Sequence, residues 1–481
     1  MTSLWSERGE TASAPRALVL GRVNDVRAAC RALGGVRIIG VITQDEVQTR
    51  RIAGAPVIGS AGDFLSGVTR GPHAHVLILA SAPDSRGAAR LALRAASERG
   101  LSVSCVRRTD TEALSLRPLA LDDLIGTRVS SIDWDRARAL IAGKRVLVTG
   151  GAGSIGGALS RKLARLAPTQ LSVFDNSEYN LYSLEQDLAA SALSPAPCLR
   201  FGDIRDGAAV RRFIARERPD IVFHAAAMKH VPLVEANPCE GALTNLLGTR
   251  NVIEACDAAD AHLVFVSTDK AANPASVMGA TKRLMELYCQ ALDRDEGGPR
   301  RLVARLGNVL GSAGSVTPLF TRQIAEGGPL TVTHADVARY FITIQQAAMF
   351  LLQAAAVGVG TPDVRGCTHI LDMGEPIRVQ DIARDMIRLA GRAPDRDIAL
   401  RFIGLRPGEK LTEDMIGVEE AETETISPGV RAAHSAPIAR GELDGRIDRI
   451  LAAARMGADE AVRRLVLDAV AAPIEARRAV G

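Results

Sequence analysis

Positions 268–270 of this chain read Thr268-Asp269-Lys270, a hydroxyl, a carboxyl and an amine in succession at the end of an apolar run. They place a relay, a proton donor and a proton acceptor within one turn, the side-chain types that general acid–base chemistry requires. For the amine to act as a base, burial or neighbouring positive charge must lower its proton affinity. Lys282 follows, one helical turn from Met278 and on the same face of an expected helix. Taken alone, these residues have plainer explanations: a surface ion pair after a strand for Asp269 and Lys270, and a solvated helix lysine for Lys282.

A second group lies upstream. Gly150, Gly153 and Gly156 follow the apolar strand 144–149 and open a helical pattern. In that setting the first glycine makes a tight turn, the second lets backbone amides approach a pyrophosphate, and the third lets helix and sheet pack closely. Ser154 and Ile155 then offer free amides at the positive end of the helix. The next strand ends at Asp175, 19 residues past Gly156, near the roughly 20 expected of a carboxylate that binds the adenosine ribose. A carboxylate there accepts from a diol and repels a 2′-phosphate, so NAD is expected rather than NADP. Capping of the helix near Glu178 would explain Asp175, Asn176 or Ser177 equally well. Asp203 and Ile204 follow the third strand, where Asp203 meets an adenine edge or merely begins a turn. Ala225 and Ala226 end the fourth strand, and small residues there leave room for the cofactor.

The elements that must position these groups alternate strand and helix, which implies an α/β fold with a parallel sheet. Strands are expected at 144–149, 170–175, 198–202, 220–224, 262–267 and 301–306, a doubly wound nucleotide-binding pattern with a small substrate lobe. The expected order is a disordered lead at 1–15, a smaller Rossmann-like α/β domain at 16–110, a connector at 111–143, the dinucleotide domain at 144–430 and a helical tail at 431–481. The first turn of the smaller domain, Gly21-Arg22-Val23-Asn24, lacks the glycine spacing, so a second dinucleotide site is not expected there.

Composition narrows the class. Fifty-nine basic and 55 acidic residues leave a formal charge of +4 on 481 residues, which gives no argument for a nucleic-acid partner. Arg211-Arg212 and Arg300-Arg301 read as solvated faces. Seven widely spaced cysteines without a CxxC pair point to free thiols in a reducing cytosol and to no metal site. No stretch approaches the roughly 18 apolar residues of a spanning helix.

Four further motifs sharpen the reading: His224-Ala-Ala-Ala-Met-Lys-His-Val-Pro232, Ser267-Thr-Asp-Lys-Ala-Ala-Asn-Pro274, Arg305-Leu-Gly-Asn-Val-Leu-Gly311 with Gly314-Ser315-Val316, and Arg406-Pro-Gly-Glu-Lys410. In this order they resemble the bacterial UDP-N-acetylglucosamine 4,6-dehydratases of capsule, O-antigen and flagellin-glycan synthesis, within the extended short-chain dehydrogenases. Short-chain dehydrogenases usually carry Tyr four residues before the Lys; Met278 stands there, as in the long, membrane-linked members of the family, which the resemblance implies retain configuration at C5. Those members begin with transmembrane helices, where this sequence has the 16–110 domain; truncation and a natural soluble form both fit.

The resemblance implies a lyase that oxidises C4, eliminates water across C5 and C6 and reduces C6, with NAD regenerated each turnover. It makes Asp269 the acid toward the C6 hydroxyl, Lys270 the base at C5, Thr268 a relay for the C4 hydroxyl proton, Lys282 a contact to the nicotinamide ribose, and Met278 packing in the tyrosine slot. Arg339 and Arg406 are candidate ligands of the UDP-sugar diphosphate. Lys229, Asn308 and Ser315 are candidate substrate contacts, and Glu409 holds Arg406 or meets substrate. A homo-oligomer is expected. Two alternatives stay open: a nucleotide-sugar 4- or 5-epimerase, against which the Asp269-Lys270 pair argues, and an inactive NAD-binding sensor or scaffold, for which loss of the tyrosine argues and against which the retained Thr268-Asp269-Lys270 and Lys282 argue.

Overall fold

The computed structural model describes residues 14–68, 72–80, 86–108, 114–125, 133–189, 196–295, 298–360, 365–425, 427 and 429–471. The expected lead at 1–15 falls almost wholly outside them. The chain divides into two compact units. One takes Met1–Gly126 with Phe320–Val332 and Gln380–Arg401; the other takes Thr127–Leu319, Thr333–Val379 and Phe402–Gly481.

The first unit holds a seven-stranded sheet of β1 (Arg16–Gly21), β2 (Arg37–Thr43), β3 (Arg51–Ile52), β4 (Ala55–Ser60), β5 (Val76–Leu79), β6 (Ser102–Arg108) and β7 (Leu114–Pro118), in the order β3-β4-β2-β1-β5-β6-β7. The segment expected as a connector therefore contributes a strand, because Leu114–Pro118 pairs antiparallel with β6 and lays Leu114 and Leu116 against the core.

The second unit is built on a nine-stranded sheet. Its first six strands are β8 (Arg145–Thr149), β9 (Gln170–Asp175), β10 (Cys198–Phe201), β11 (Ile221–His224), β12 (His262–Thr268) and β13 (Arg301–Leu306), in the order β10-β9-β8-β11-β12-β13. All neighbours in this run are parallel. Cys367–Leu371 extends the run in parallel, and Val430–His434 and Ala421–Glu424 close the edge antiparallel. The central strands are mostly apolar because helices bury both faces; every residue of Arg301–Leu306 is buried, its two arginines included.

Arg300 and Arg301 are not a solvated face. They open β13 in the interior, where the Arg300 Nε donates to Asp293 at 2.9 Å. The residues after 431 are more than a tail. Helices Arg440–Arg455 and Asp459–Ala469 set Leu443, Ile447, Ile450, Val462 and Val466 into one apolar cluster with Met278, Leu284 and Met285 of helix Val277–Asp293. An ionic clamp joins the same parts. Glu235 accepts the Val277 amide at 2.7 Å on one carboxylate oxygen, and the Arg463 guanidinium bonds its other oxygen and its backbone carbonyl.

Candidate active site

The carboxyl ends of β8 and β11 part at the point where the strand order reverses, the usual place for a ligand crevice in such sheets. A cavity of about 660 Å³ opens there, wholly within the second unit. Its floor is backbone. Gly150 has φ +65° and lies so close to the β11 exit that a Cβ would meet the Ala226 nitrogen at 2.5 Å. A Cβ on Gly156 would run into the Gly150 carbonyl. Gly153 is less crowded: a Cβ there would press on the Gly150 oxygen at 3.3 Å, and the residue also borders the cavity. Helix Ser154–Leu163 begins at Gly153 with no side-chain cap. Ser154 and Ile155 border the cavity with the three glycines, leaving the helix terminus directed at it.

Asp175 lies at the end of β9, buried, with one oxygen accepting from the Ala152 amide at 3.0 Å and the other from Ser177 at 2.9 Å. The helix that begins at Glu178 is capped instead by the Ser177 hydroxyl, which accepts the Asn180 amide at 3.4 Å, and each Asp175 oxygen keeps a second lone pair. Asp203 also borders the cavity, gripped by the Arg205 amide and guanidinium at 2.6–2.9 Å. Burial pushes its carboxyl up, but those bonds win and hold it below the usual range. Ile204, Ala225 and Ala226 complete this side. A glycine cradle, an uncapped helix end and a carboxylate at the second strand fit a dinucleotide.

The opposite side is made of side chains. Thr268, Lys270, Met278, Lys282, Asn308 and Ser315 all border the same cavity. The Thr268 hydroxyl donates to Asp269 Oδ1 at 2.9 Å, and the Lys270 Nζ donates to the same oxygen at 3.0 Å and to Asn308 at 3.1 Å. Asp269 itself does not reach the cavity. The short 3₁₀ turn Asp269–Ala271 turns its carboxyl inward, where it is 1% exposed and its Oδ2 meets no partner.

Lys282 enters from helix Val277–Asp293, which starts at the Ser276 cap. Its Nζ donates to the Val266 carbonyl at 2.9 Å and lies 4.5 Å from the centre of the Phe265 ring. Burial brings its pKa down to about 8, against the pull of Glu286. His224 stacks on the same ring and is held between Thr149 at 2.6 Å and Thr249 at 2.9 Å. Burial, then the Lys282 charge, depress its pKa to about 3, so its imidazole is neutral. The Asn245 side chain joins Met228 to Thr281 and so ties the β11 exit to the Lys282 helix.

Of the expected substrate contacts, Lys229, Asn308 and Ser315 reach the cavity; the Lys229 Nζ lies 3.1 Å from Ser312 Oγ, and burial lowers its proton affinity. Arg339, Arg406 and Glu409 do not border it. The Arg339 guanidinium is buried and spent on the carbonyls of Ala338, Lys410 and Leu411 at 2.8–2.9 Å. Arg406 is half exposed and turned to Glu409 at 3.4 Å. Both arginines therefore hold the 406–411 loop here. Arg205 and His230 border the cavity without having been singled out. The available signal for His230 was its place beside Lys229 in the first motif; an arginine two residues past Asp203 carried none.

The strand order and the glycine turn at the switch point define the class: a Rossmann fold of the extended short-chain dehydrogenase type. The family model described as polysaccharide biosynthesis protein matches residues 146–434, and the chain belongs to that family. It is 38% identical to the capsular polysaccharide biosynthesis protein CapD of Staphylococcus aureus over 66% of this chain, and spans 52%, about half, of that relative's length. It is 33% identical to the probable polysaccharide biosynthesis protein EpsC of Bacillus subtilis over 88% of this chain and 72% of that protein. Over 58% of this chain and 79% of the relative it is 34% identical to a UDP-N-acetylglucosamine 4,6-dehydratase (inverting) of Campylobacter jejuni. Among the described residues, no helix is long and apolar enough to cross a membrane.

Proposed function

We propose that this chain catalyses NAD-dependent 4,6-dehydration of a UDP-N-acetylhexosamine, UDP-N-acetylglucosamine foremost, for surface polysaccharide or glycan synthesis. The observation that carries the reading is that Thr268, Lys270 and Lys282 border the same cavity as the glycine cradle, with Asp269 bonded to the first two. The relative named as a 4,6-dehydratase supports the same activity class, and the one named for capsular polysaccharide supports the polysaccharide role. Gly150, Gly153, Gly156, Asp175 and Lys282 would hold NAD, which would supply reversible hydride transfer between C4 and C6.

The Thr268 hydroxyl accepts the C4 hydroxyl proton and passes its own along the 2.9 Å bond to Asp269. It thereby does what tyrosine does elsewhere, since Met278 carries no proton and only packs. The C4 ketone acidifies C5–H, so the Lys270 amine suffices as base. Asp269 protonates the departing C6 hydroxyl, for which its carboxyl must turn from its inward position toward the cavity rim. The proton taken from C4 leaves in water, and the proton on Lys270 returns to C5. Return to the face it left gives retention. Lys229, Asn308 and Ser315 bind the sugar nucleotide.

The test is incubation with UDP-N-acetylglucosamine and catalytic NAD in deuterated water, followed by proton NMR. The expected result is a new C6 methyl signal with deuterium at C5 and the coupling of a retained centre. Clean conversion to the C4 epimer sinks the dehydratase reading, and tight NAD binding without turnover moves the chain to the sensor or scaffold class.

A further inference from the structure

Lys270 has a second carboxylate neighbour that no motif contains. Glu413 Oε1 lies 3.7 Å from the Lys270 Nζ, and the Glu413 side chain is 4% exposed. The segment that carries it is fastened from three sides. Arg339 grips the carbonyls of Lys410 and Leu411. Asn273 bonds Asp414 at 2.8 Å and the Val418 amide at 3.0 Å. Fully buried Arg305 of β13 donates to the Met415 carbonyl and to Glu420, each at 2.7 Å. A buried guanidinium paired with Glu286 and Glu420 is costly to misplace, so Glu413 is delivered to Lys270 by a rigid frame.

The groups facing the amine divide by sign. Asp269 comes from its own turn at 3.0 Å, and neutral Asn308 from the stretch after β13. Glu413 comes from the fastened segment. Behind Glu413 stand the cations Arg339, at 3.9 Å, and Lys410, with Glu409 between Arg339 and solvent. Tyr340 lies near Asp269. Two carboxyls thus flank one amine, and they are not equivalent. Asp269 has a buried oxygen without a hydrogen-bond partner, and in the proposed reaction it is the carboxyl that receives the proton from Thr268. Once Asp269 carries the proton from Thr268, the amine loses its nearer counter-charge. Glu413 is then the carboxyl that remains; burial raises its proton affinity, against the pull of Lys270, Arg339 and Lys410.

We infer that Glu413 is a positioning residue for Lys270: it holds the amine at the cavity rim while Asp269 is neutral and sets the pH at which that amine becomes free. This rests on Lys270 being the C5 base. An opposite charge within 4–6 Å favours the charged form by one to three pH units, so its removal makes the amine lose its proton at lower pH.

Two measurements on Glu413→Gln, which keeps the side-chain shape, test the role. Trace acylation of Lys270 as a function of pH, read by peptide mass spectrometry, gives the midpoint of its titration without turnover. The expected midpoint moves down by about one unit, and the acid limb of kcat moves with it. Glu413→Asp, which keeps the charge, is expected to restore most of the shift and serves if the first variant folds poorly. An unmoved midpoint overturns the role of Glu413, whatever happens to turnover. A moved midpoint with an unmoved kcat limb overturns Lys270 as the base, and with it the use proposed for Glu413. Loss of activity in both variants without either shift marks Glu413 as a packing residue.

Discussion

The two sides of the cavity are built by opposite means. The side at β8 is made from absences: bare glycines and uncommitted amides within one strand, one turn and one helix, with the small alanines of the β11 exit facing them. The side at β12 is made from side chains drawn from distant stretches, with Lys270 facing Asn308 and Glu413, and Lys282 resting on Phe265. A backbone cradle tolerates change in everything except bulk. A side-chain cluster tolerates bulk more readily than loss of a charge. The lesson is that binding and chemistry are separable here, because one is held by local geometry and the other by long-range packing.

The sharpest break of that contrast is Lys270→Gln. Turnover is expected to fall about 10²- to 10⁴-fold, the usual worth of a positioned acid–base group, while NAD affinity by calorimetry stays within a factor of two or so. A parallel loss of affinity would show that the two sides are one unit.

Lys282 bridges the sides and has a pH signature. Its folded pKa, depressed to about 8 from 10.5, means that the native state sheds the proton before the unfolded chain does. Its burial therefore weighs on stability below about pH 8 and is relieved as pH rises toward 10.5. Chemical denaturation should show the wild type gaining on Lys282→Met by up to about 3 kcal/mol over that window; a constant difference would refute it.

Gly156→Ala probes the cradle alone. The added methyl meets the Gly150 carbonyl, so stability should drop by about 1–3 kcal/mol and NAD binding should weaken. The Lys270 labelling midpoint should stay put. Gly153→Ala should cost less stability than Gly156→Ala, since its methyl would lie 3.3 Å from the Gly150 oxygen where the Gly156 methyl runs into it, and it should still weaken NAD binding.

The smallest effect is expected of Arg463→Met. Glu235 then loses a charged partner while still capping Val277, at a cost of about 1–2 kcal/mol in thermal unfolding. A modest fall in kcat with an unchanged Michaelis constant for the sugar nucleotide would mark a slight loosening of the helix that carries Met278 and Lys282.

What was legible follows the same division. The cradle could be read because its causes are local: a strand, three glycines and a carboxylate at a set distance announce themselves by spacing. The central strands of the large sheet were equally plain, being buried on both faces and so mostly apolar. The Thr268–Lys282 group was legible only through family motifs, and even then its orientation was not. Nothing in Asp269 foretold that a 3₁₀ turn would face its carboxyl inward, nor in Arg339 that three carbonyls would consume its guanidinium. Glu413 had no local mark at all, since its place depends on Arg305, Arg339 and Asn273. Leu114–Pro118 escaped because a five-residue edge strand beside a proline looks like a loop until its partner is known.

The clamp of Glu235 by Arg463 spans 228 residues of chain, and that has a consequence for how the protein is born. Synthesis runs from the amino end, and structure forms in the emerging part first. The glycine cradle can close as soon as β11 is out. The start of the Lys282 helix must wait for Arg463 to emerge from the ribosome before its anchor is complete. A nascent chain would accordingly acquire its grip on the dinucleotide well before its catalytic helix is secured, so the capacity to bind precedes the capacity to react.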